Sequence, residues 1–192
     1  MRSHGFILMR DRLRERLRRL AGRDPHAPFR LPPGPGRAGA RDGVAVVAIV
    51  RDEADYLPEW ITFHAMLGVR AVFLYDNGST DGTAALPASR DWGTAVRRLD
   101  WASFDGLDAT QAFAYCHALA NYGADFRWMA FIDVDEFLFP LEDESLPAAL
   151  SRFEDQPCLS LPWFNFVPDG HATRPDAPVI AAYRERAAFP PG

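Results

Sequence analysis

Lysine is absent from this 192-residue chain: every one of its 21 basic residues is arginine. We read that as coding bias and draw no function from it. Cysteine is scarce. Cys116 and Cys158 are too few for a disulfide framework, and both are expected to be buried free thiols. No run approaches the roughly 20 apolar residues that a membrane span needs. The opening stretch, MRSHGFILMRDRLRERLRRL, is apolar only from Phe6 to Met9, which is poor for a secretory signal. A cytoplasmic location is the expectation that follows. A Gly-rich loop is missing as well. Arg51-Asp52-Glu53-Ala54 stands where a phosphate-cradling loop would follow the first strand, which argues against a P-loop enzyme.

What is present is divided by charge. The formal net charge is −5, yet residues 1–43 carry 11 Arg against 4 acids, and residues 44–192 carry 10 Arg against 22 acids. An acidic body speaks against nucleic acid as a partner. If it handles phosphates, it needs a cation as mediator. Met9, Leu13, Leu17 and Leu20 recur at helical spacing in the basic tail. That pattern fits either a solvated tail or a surface helix touching anionic lipid at the inner face of the membrane. Residues 22–43, rich in Pro and Gly, read as a linker. The expected organisation is therefore a tail and linker over 1–43 and one domain over 44–192.

From Val44 the texture changes. Val44 to Val50 is a continuous β-branched and small apolar run, the mark of a strand buried on both faces. Asp55 to Leu67 reads as a helix, with Pro58 in its first turn and Gly68 just past its end. Leu57, Trp60, Ile61 and His64 share one face, so His64 is expected to be packed rather than catalytic. Ala71 to Tyr75, Ala95 to Leu99 and Trp128 to Ile132 read as further strands, and Cys158 to Leu161 as another. Ser79 or Thr80 is placed to cap a helix. Asp108 to Tyr122 reads as a second long helix, with Asp108 and Gln111 spaced like a capping box. Strands alternating with helices predict an α/β fold with a mainly parallel sheet flanked by helices.

In such sheets ligands bind beyond the carboxyl ends of the strands. Acids gather there: Asp52 and Glu53 after the first run, Asp76 and Asn77 after the second, and Asp133, Asp135 and Glu136 after the fourth. Helix capping accounts for one such group but poorly for three. If Asp133-Val134-Asp135 is extended, both aspartates point to one side with Cα atoms about 6.5–7 Å apart. Their mutual repulsion is relieved by a cation. Mg²⁺ or Mn²⁺ prefers such oxygen ligands and commonly completes its shell with substrate phosphates. The same pair would serve nucleotidyl transfer or phosphohydrolysis, and a chain that only binds its ligand is a further alternative.

The stretch VAIVRDEADYLPEWITFHAMLGVRAVFLYDNGSTDGT, with Gln111 and Asp133-Val134-Asp135-Glu136-Phe137, resembles family 2-like glycosyltransferases of the GT-A fold. The nearer likeness is to glycosyltransferase family 92, carried by Asp52-Glu53, Glu59-Trp60, His64, Tyr75-Asp76-Asn77, Ser79 and Asp81. Trp163, Phe166 and Gly170-His171 extend it, so that it covers roughly Val44 to Arg186. The resemblance implies sugar transfer from a nucleoside diphosphate sugar to an acceptor hydroxyl, saccharide or lipid-linked, with inversion. It places Asp52, Glu53, Asp76, Asn77 and Gln111 at the donor, and Asp133 and Asp135 at the metal on the diphosphate. Trp163 and Asn165, which follow the Cys158–Leu161 run, read equally as acceptor contacts, by stacking and hydrogen bonds to a sugar, or as ordinary core packing. Glu136, Asp169 and His171 are the candidates for a catalytic base. Relatives continue past this point with basic residues and a late histidine, so the family's carboxyl-terminal part is expected to be missing. Arg174, Arg184 and Arg186 are the basic side chains that would replace a metal if none is used.

Overall fold

The computed structural model describes residues 41–102, 110–168 and 170–187. They fall in two compact units, one ending at Ala149 and one beginning at Leu150. The readings of the basic tail and nearly all of the linker lie outside the described residues, as do Asp108 and Asp169.

The first unit is built on four parallel strands: β1 (Val44–Val50), β2 (Val69–Asp76), β3 (Ala95–Asp100) and β4 (Trp128–Phe131), in spatial order β3-β2-β1-β4. Central β1 pairs with β2 on one side and with β4 on the other. Its unbroken apolar run is what burial on two faces demands, and six of its seven residues are buried. Helix α1 (Leu57–Met66) links β1 to β2, and α2 (Thr110–Tyr122) precedes β4. One connection moves leftward across the sheet and the other rightward. Right-handed crossovers in opposite directions put the two helices on opposite faces. Ala45, Val47, Ala71, Phe73 and Tyr75 pack with Ala114 and Ala118 of α2 on one face. The alternate residues Val46, Ala48, Val50, Val72 and Leu74 face the other way and are equally buried. The architecture is thus a Rossmann-like α/β sheet, as the strand–helix alternation predicts. Among the described residues, no helix is long and apolar enough to cross a membrane.

Local chemistry sets the ends of these elements. Helix α1 begins two residues later than its pattern suggests, because Tyr56 and Leu57 first donate backbone hydrogen bonds to the Glu53 carbonyl in a turn. It ends at Met66, just before Gly68, whose φ of +84° is the left-handed conformation a helix stop favours. A Cβ there would meet Pro147 Cδ at 3.2 Å. Neither Ser79 nor Thr80 caps a helix. The segment after them is a six-residue 3-10 turn, Thr83–Ala88, preceded by Gly82. Their side chains bond Asp52 of the neighbouring loop instead. The strand expected over Cys158 to Leu161 is not formed. These residues belong to the second unit and pair with no strand among the described residues; a bridge there joins Phe166 to Arg186. Cys158 is exposed rather than buried, since the strand that would have enclosed it is absent, while Cys116 is half-buried on α2. The second unit also holds two short helical turns, Ser151–Phe153 and α4 (Val179–Ala182), and α3 (Leu146–Leu150) runs across the point where the units divide.

Candidate functional site

Strand order reverses between β1 and β4, and the crevice at such a point is where open α/β sheets bind ligands. Two loops flank it. After β1 come Asp52 and Glu53; after β4 come Asp133, Asp135 and Glu136.

The segment after β4 is a tight turn rather than an extended continuation. The Glu136 N–H donates to the Asp133 carbonyl at 3.1 Å, and the Asp133 N–H donates to Glu136 Oε2 at 3.1 Å. The extended spacing expected of Asp133 and Asp135 is therefore corrected. β4 stops at Phe131, and the chain closes on itself. The shared side survives for a different reason. Ile132 and Val134 are buried while Asp133 and Asp135 are exposed, so the apolar residues anchor the turn and both carboxylates face outward.

Helix α1 pins this turn from behind. The Trp60 indole N–H donates to the Glu136 carbonyl at 2.8 Å, and the Leu138 N–H donates to His64 Nε2 at 3.2 Å. His64 Nδ1 lies 2.8 Å from the Trp60 carbonyl, which only a protonated nitrogen can satisfy. The ring is thus the neutral Nδ1–H form. Burial pushes its pKa down to about 4, against a smaller upward pull from that carbonyl. His64 is the packed histidine its helical face suggests, fully enclosed and in edge contact with Trp60.

The electrostatics of the crevice are those of crowded anions. Burial, then the Asp135 charge, raise the Asp133 pKa, with hydrogen bonds from Gln111 and Tyr115 pulling back. Glu136 is raised by burial and by both aspartates. Glu53 is raised by burial and then by Asp135, which sets the β1 and β4 loops within electrostatic reach of each other. Gln111 stands in the first turn of α2. Its amide N–H donates to Asp133 Oδ1 at 2.8 Å and to the Tyr115 hydroxyl at 2.9 Å. Sequence spacing alone placed it at a helix start and missed Tyr115 altogether, because a tyrosine one turn further on carries no motif.

Asp76 stands at the end of β2, as its position implies, but its carboxylate is enclosed. Oδ1 accepts from the Ser79 N–H at 2.8 Å and Oδ2 from Arg98 Nε at 2.7 Å. Burial opposes its ionisation, yet these bonds together win and hold its pKa below the usual carboxylate range. Asn77, beside it, donates its backbone N–H to the Val50 carbonyl and ties β2 to β1.

Trp163, Asn165 and His171 belong to the second unit and are exposed. There the Asn165 carbonyl accepts from the Ala187 N–H, and the His171 ring meets Tyr183 edge-on. Arg186 lies over the Phe164 ring, and Arg184 Nε donates to the Ala181 carbonyl.

Oxygen-only donors, two of them outward-facing and repelling each other, suit a hard divalent cation such as Mg²⁺ or Mn²⁺. Among the described residues no three Asp, Glu, His or Cys side chains converge as a ready-made cage. A cation here would need further ligands from whatever it binds with.

The model of glycosyltransferase family 92 matches residues 44–178. A glycosyltransferase family 92 protein of Oryza sativa subsp. japonica is 31% identical over 151 residues, covering 77% of this chain and 25% of that protein. One of Ricinus communis is 29% identical over 151 residues, covering 72% and 25%. One of Arabidopsis thaliana is 29% identical over 106 residues, covering 54% and 17%. The chain thus spans about a quarter of the length of the first two relatives. No solved structure matches it.

Proposed function

The chain belongs to glycosyltransferase family 92, and on that premise we propose that it forms the donor-binding part of a GT-A-type enzyme that moves a sugar from a nucleoside diphosphate sugar to an acceptor hydroxyl. The observation that carries this reading is the gathering of Glu53, Asp133, Asp135 and Glu136 at the β1/β4 crevice, where burial and mutual repulsion raise three of the four. Such a site rejects a free anion but welcomes one that arrives with a divalent cation.

In this reading Asp133 and Asp135 hold Mn²⁺ or Mg²⁺. When bound, the ion neutralises charge on the diphosphate leaving group. Gln111 and Tyr115 orient Asp133 through their hydrogen bonds, so its free lone pairs face outward. Asp52, Glu53 and Asn77 meet the nucleoside. Asp76 serves from beneath, holding Ser79 and Arg98, because both of its oxygens are already engaged. Glu136 is the base we favour for the acceptor proton. Burial raises its pKa above the ordinary glutamate value, the direction that makes a carboxylate a better base. Asp169 and His171 are the alternatives, and Trp163 and Asn165 the proposed acceptor contacts, by stacking and by hydrogen bonds to hydroxyls. A saccharide or lipid-linked acceptor fits that pair. Support for inversion comes only from the family likeness of the sequence.

A thermal-shift screen of nucleoside diphosphates and their sugars, with and without Mn²⁺, tests the reading. A ligand at 100 times its Kd stabilises by about 2.7 kcal/mol. We expect at least one nucleoside diphosphate to raise Tm with Mn²⁺ and much less without it. No shift from any of them would overturn the proposal.

A further inference from the structure

Three consecutive backbone N–H groups follow β1, and each is met by a side chain from the loop after β2. The Asp52 N–H donates to Ser79 Oγ at 3.0 Å, the Glu53 N–H to Thr83 Oγ1 at 2.8 Å, and the Ala54 N–H to Asp81 Oδ2 at 2.9 Å. The acceptors sit at alternate positions of Ser79-Thr80-Asp81-Gly82-Thr83. The bonding is reciprocal. Asp52 Oδ1 accepts from the Thr80 N–H at 2.6 Å and from its hydroxyl at 3.2 Å. Asp81 Oδ1 accepts from the Thr83 N–H at 2.9 Å, so one carboxylate both shapes its own loop and holds the next.

Something must hold the first loop, because Asp52 has a φ of +55°. It is the one non-glycine residue with positive φ among those described. Such a conformation costs about 1–3 kcal/mol and persists only where its surroundings impose it. The surroundings here run sideways across the sheet. Arg98 bonds Asp76, Asp76 bonds the Ser79 N–H, and Ser79 Oγ bonds the Asp52 N–H. Thr83 is buried, whereas Ser79 is partly accessible and Asp81 exposed. The middle rung is therefore the one that water cannot replace.

We propose that Ser79, Asp81 and Thr83 are positioning residues: a three-rung clamp that holds Asp52 in its left-handed conformation and so aims Asp52 and Glu53 at the crevice. Asp81 touches neither donor nor metal in this assignment. Its hydrogen bonds from Ala54, then from Thr83, keep it ionised and able to accept twice. The effect on ligand affinity rests on the reading of the site as a nucleoside diphosphate pocket; the clamp itself does not.

The test pairs Thr83→Val, which keeps the shape but removes the acceptor for the Glu53 N–H, with Thr83→Ser, which keeps the hydroxyl. Ser79→Ala is a second, milder variant should Thr83→Val fold poorly. Leu146→Ala, in α3 and outside the crevice, serves as a destabilised control. Hydrogen exchange is followed over residues 50–57, and affinity is measured by calorimetry for ADP, GDP, UDP and CDP with Mn²⁺. Thr83→Val should speed exchange in that segment and weaken the nucleotide that wild type binds about five-fold, the worth of one hydrogen bond. Thr83→Ser should restore both, and Leu146→Ala should leave the affinity unchanged. Unaltered exchange over 50–57 in both Thr83→Val and Ser79→Ala overturns the clamp. Faster exchange with unaltered affinity overturns its role in aiming Asp52 and Glu53. If wild type binds none of the four nucleotides, the functional reading falls, and the exchange result alone decides whether the clamp stands.

Discussion

Replacing His64 with Phe should change the sign or the size of its effect with pH, because the histidine does two opposed things. At neutral pH it is a neutral ring that accepts the Leu138 N–H at 3.2 Å. Phenylalanine keeps a ring against Trp60 and Phe137 but cannot accept that bond. An unsatisfied buried donor costs about 1–3 kcal/mol, so the variant should be less stable by that amount at pH 7.5. Acid reverses the balance. The folded His64 pKa is about 4, below the ordinary 6.5, so the unfolded chain takes up the proton first as pH falls. Wild type therefore has its full histidine contribution above pH 6.5 and loses it down to about pH 4. The loss is about 3 kcal/mol in all, with about 2.5 kcal/mol gone by pH 4.5. The phenylalanine variant has no such loss. Urea unfolding at pH 7.5 and 4.5 should show its deficit shrink to zero or become a small advantage. A deficit of the same size at both pH values would refute the assignment of a neutral, acid-excluded His64.

Other changes have equally direct readouts. Asp76→Ala leaves Arg98 and the Ser79 N–H without their acceptor and should cost about 3 kcal/mol, visible as a lower urea midpoint. Trp60→Phe removes the donor to the Glu136 carbonyl and should cost at least about 1 kcal/mol by the same measurement, with faster exchange across residues 133–138. Gly68→Ala forces a side chain into a φ of +84° beside Pro147 and should lower stability by about 1–2 kcal/mol in thermal unfolding.

Much of the frame was legible because it follows from periodicity. The unbroken run from Val44 to Val50 announced a strand covered on both faces, and the shared face of Leu57, Trp60, Ile61 and His64 announced a packed helix. The acids at strand ends were legible for the same reason, since alternating elements bring those ends to one edge. What sequence could not supply was direction. Asp133-Val134-Asp135 reads as extended, yet the Glu136 N–H closes a turn, because backbone bonding between neighbours leaves no trace in residue type. Ser79 reads as a helix cap, and so does Thr80, but a hydroxyl that can bond its own chain can equally bond a loop 27 residues away. Asp76 reads as a strand-end ligand, and only its contact with Arg98, distant in sequence, shows that both its oxygens are engaged. Cys158 to Leu161 has strand composition but no partner strand among the described residues, and a strand without a ladder does not form.

In the proposed function Asp133 and Asp135 hold a cation through which the crevice takes a nucleoside diphosphate. Calorimetric titration of that nucleotide, in Mn²⁺ and in EDTA, tests it in wild type and in Asp135→Asn. Coupling between linked sites is typically about 1–3 kcal/mol, so Mn²⁺ should tighten wild-type binding roughly 5- to 150-fold. Asp135→Asn keeps the shape, removes one of the repelling charges and should lose most of that gain while its stability is unchanged or slightly higher. Equal wild-type affinity with and without the metal would show that no cation bridges Asp133 and Asp135 to the nucleotide.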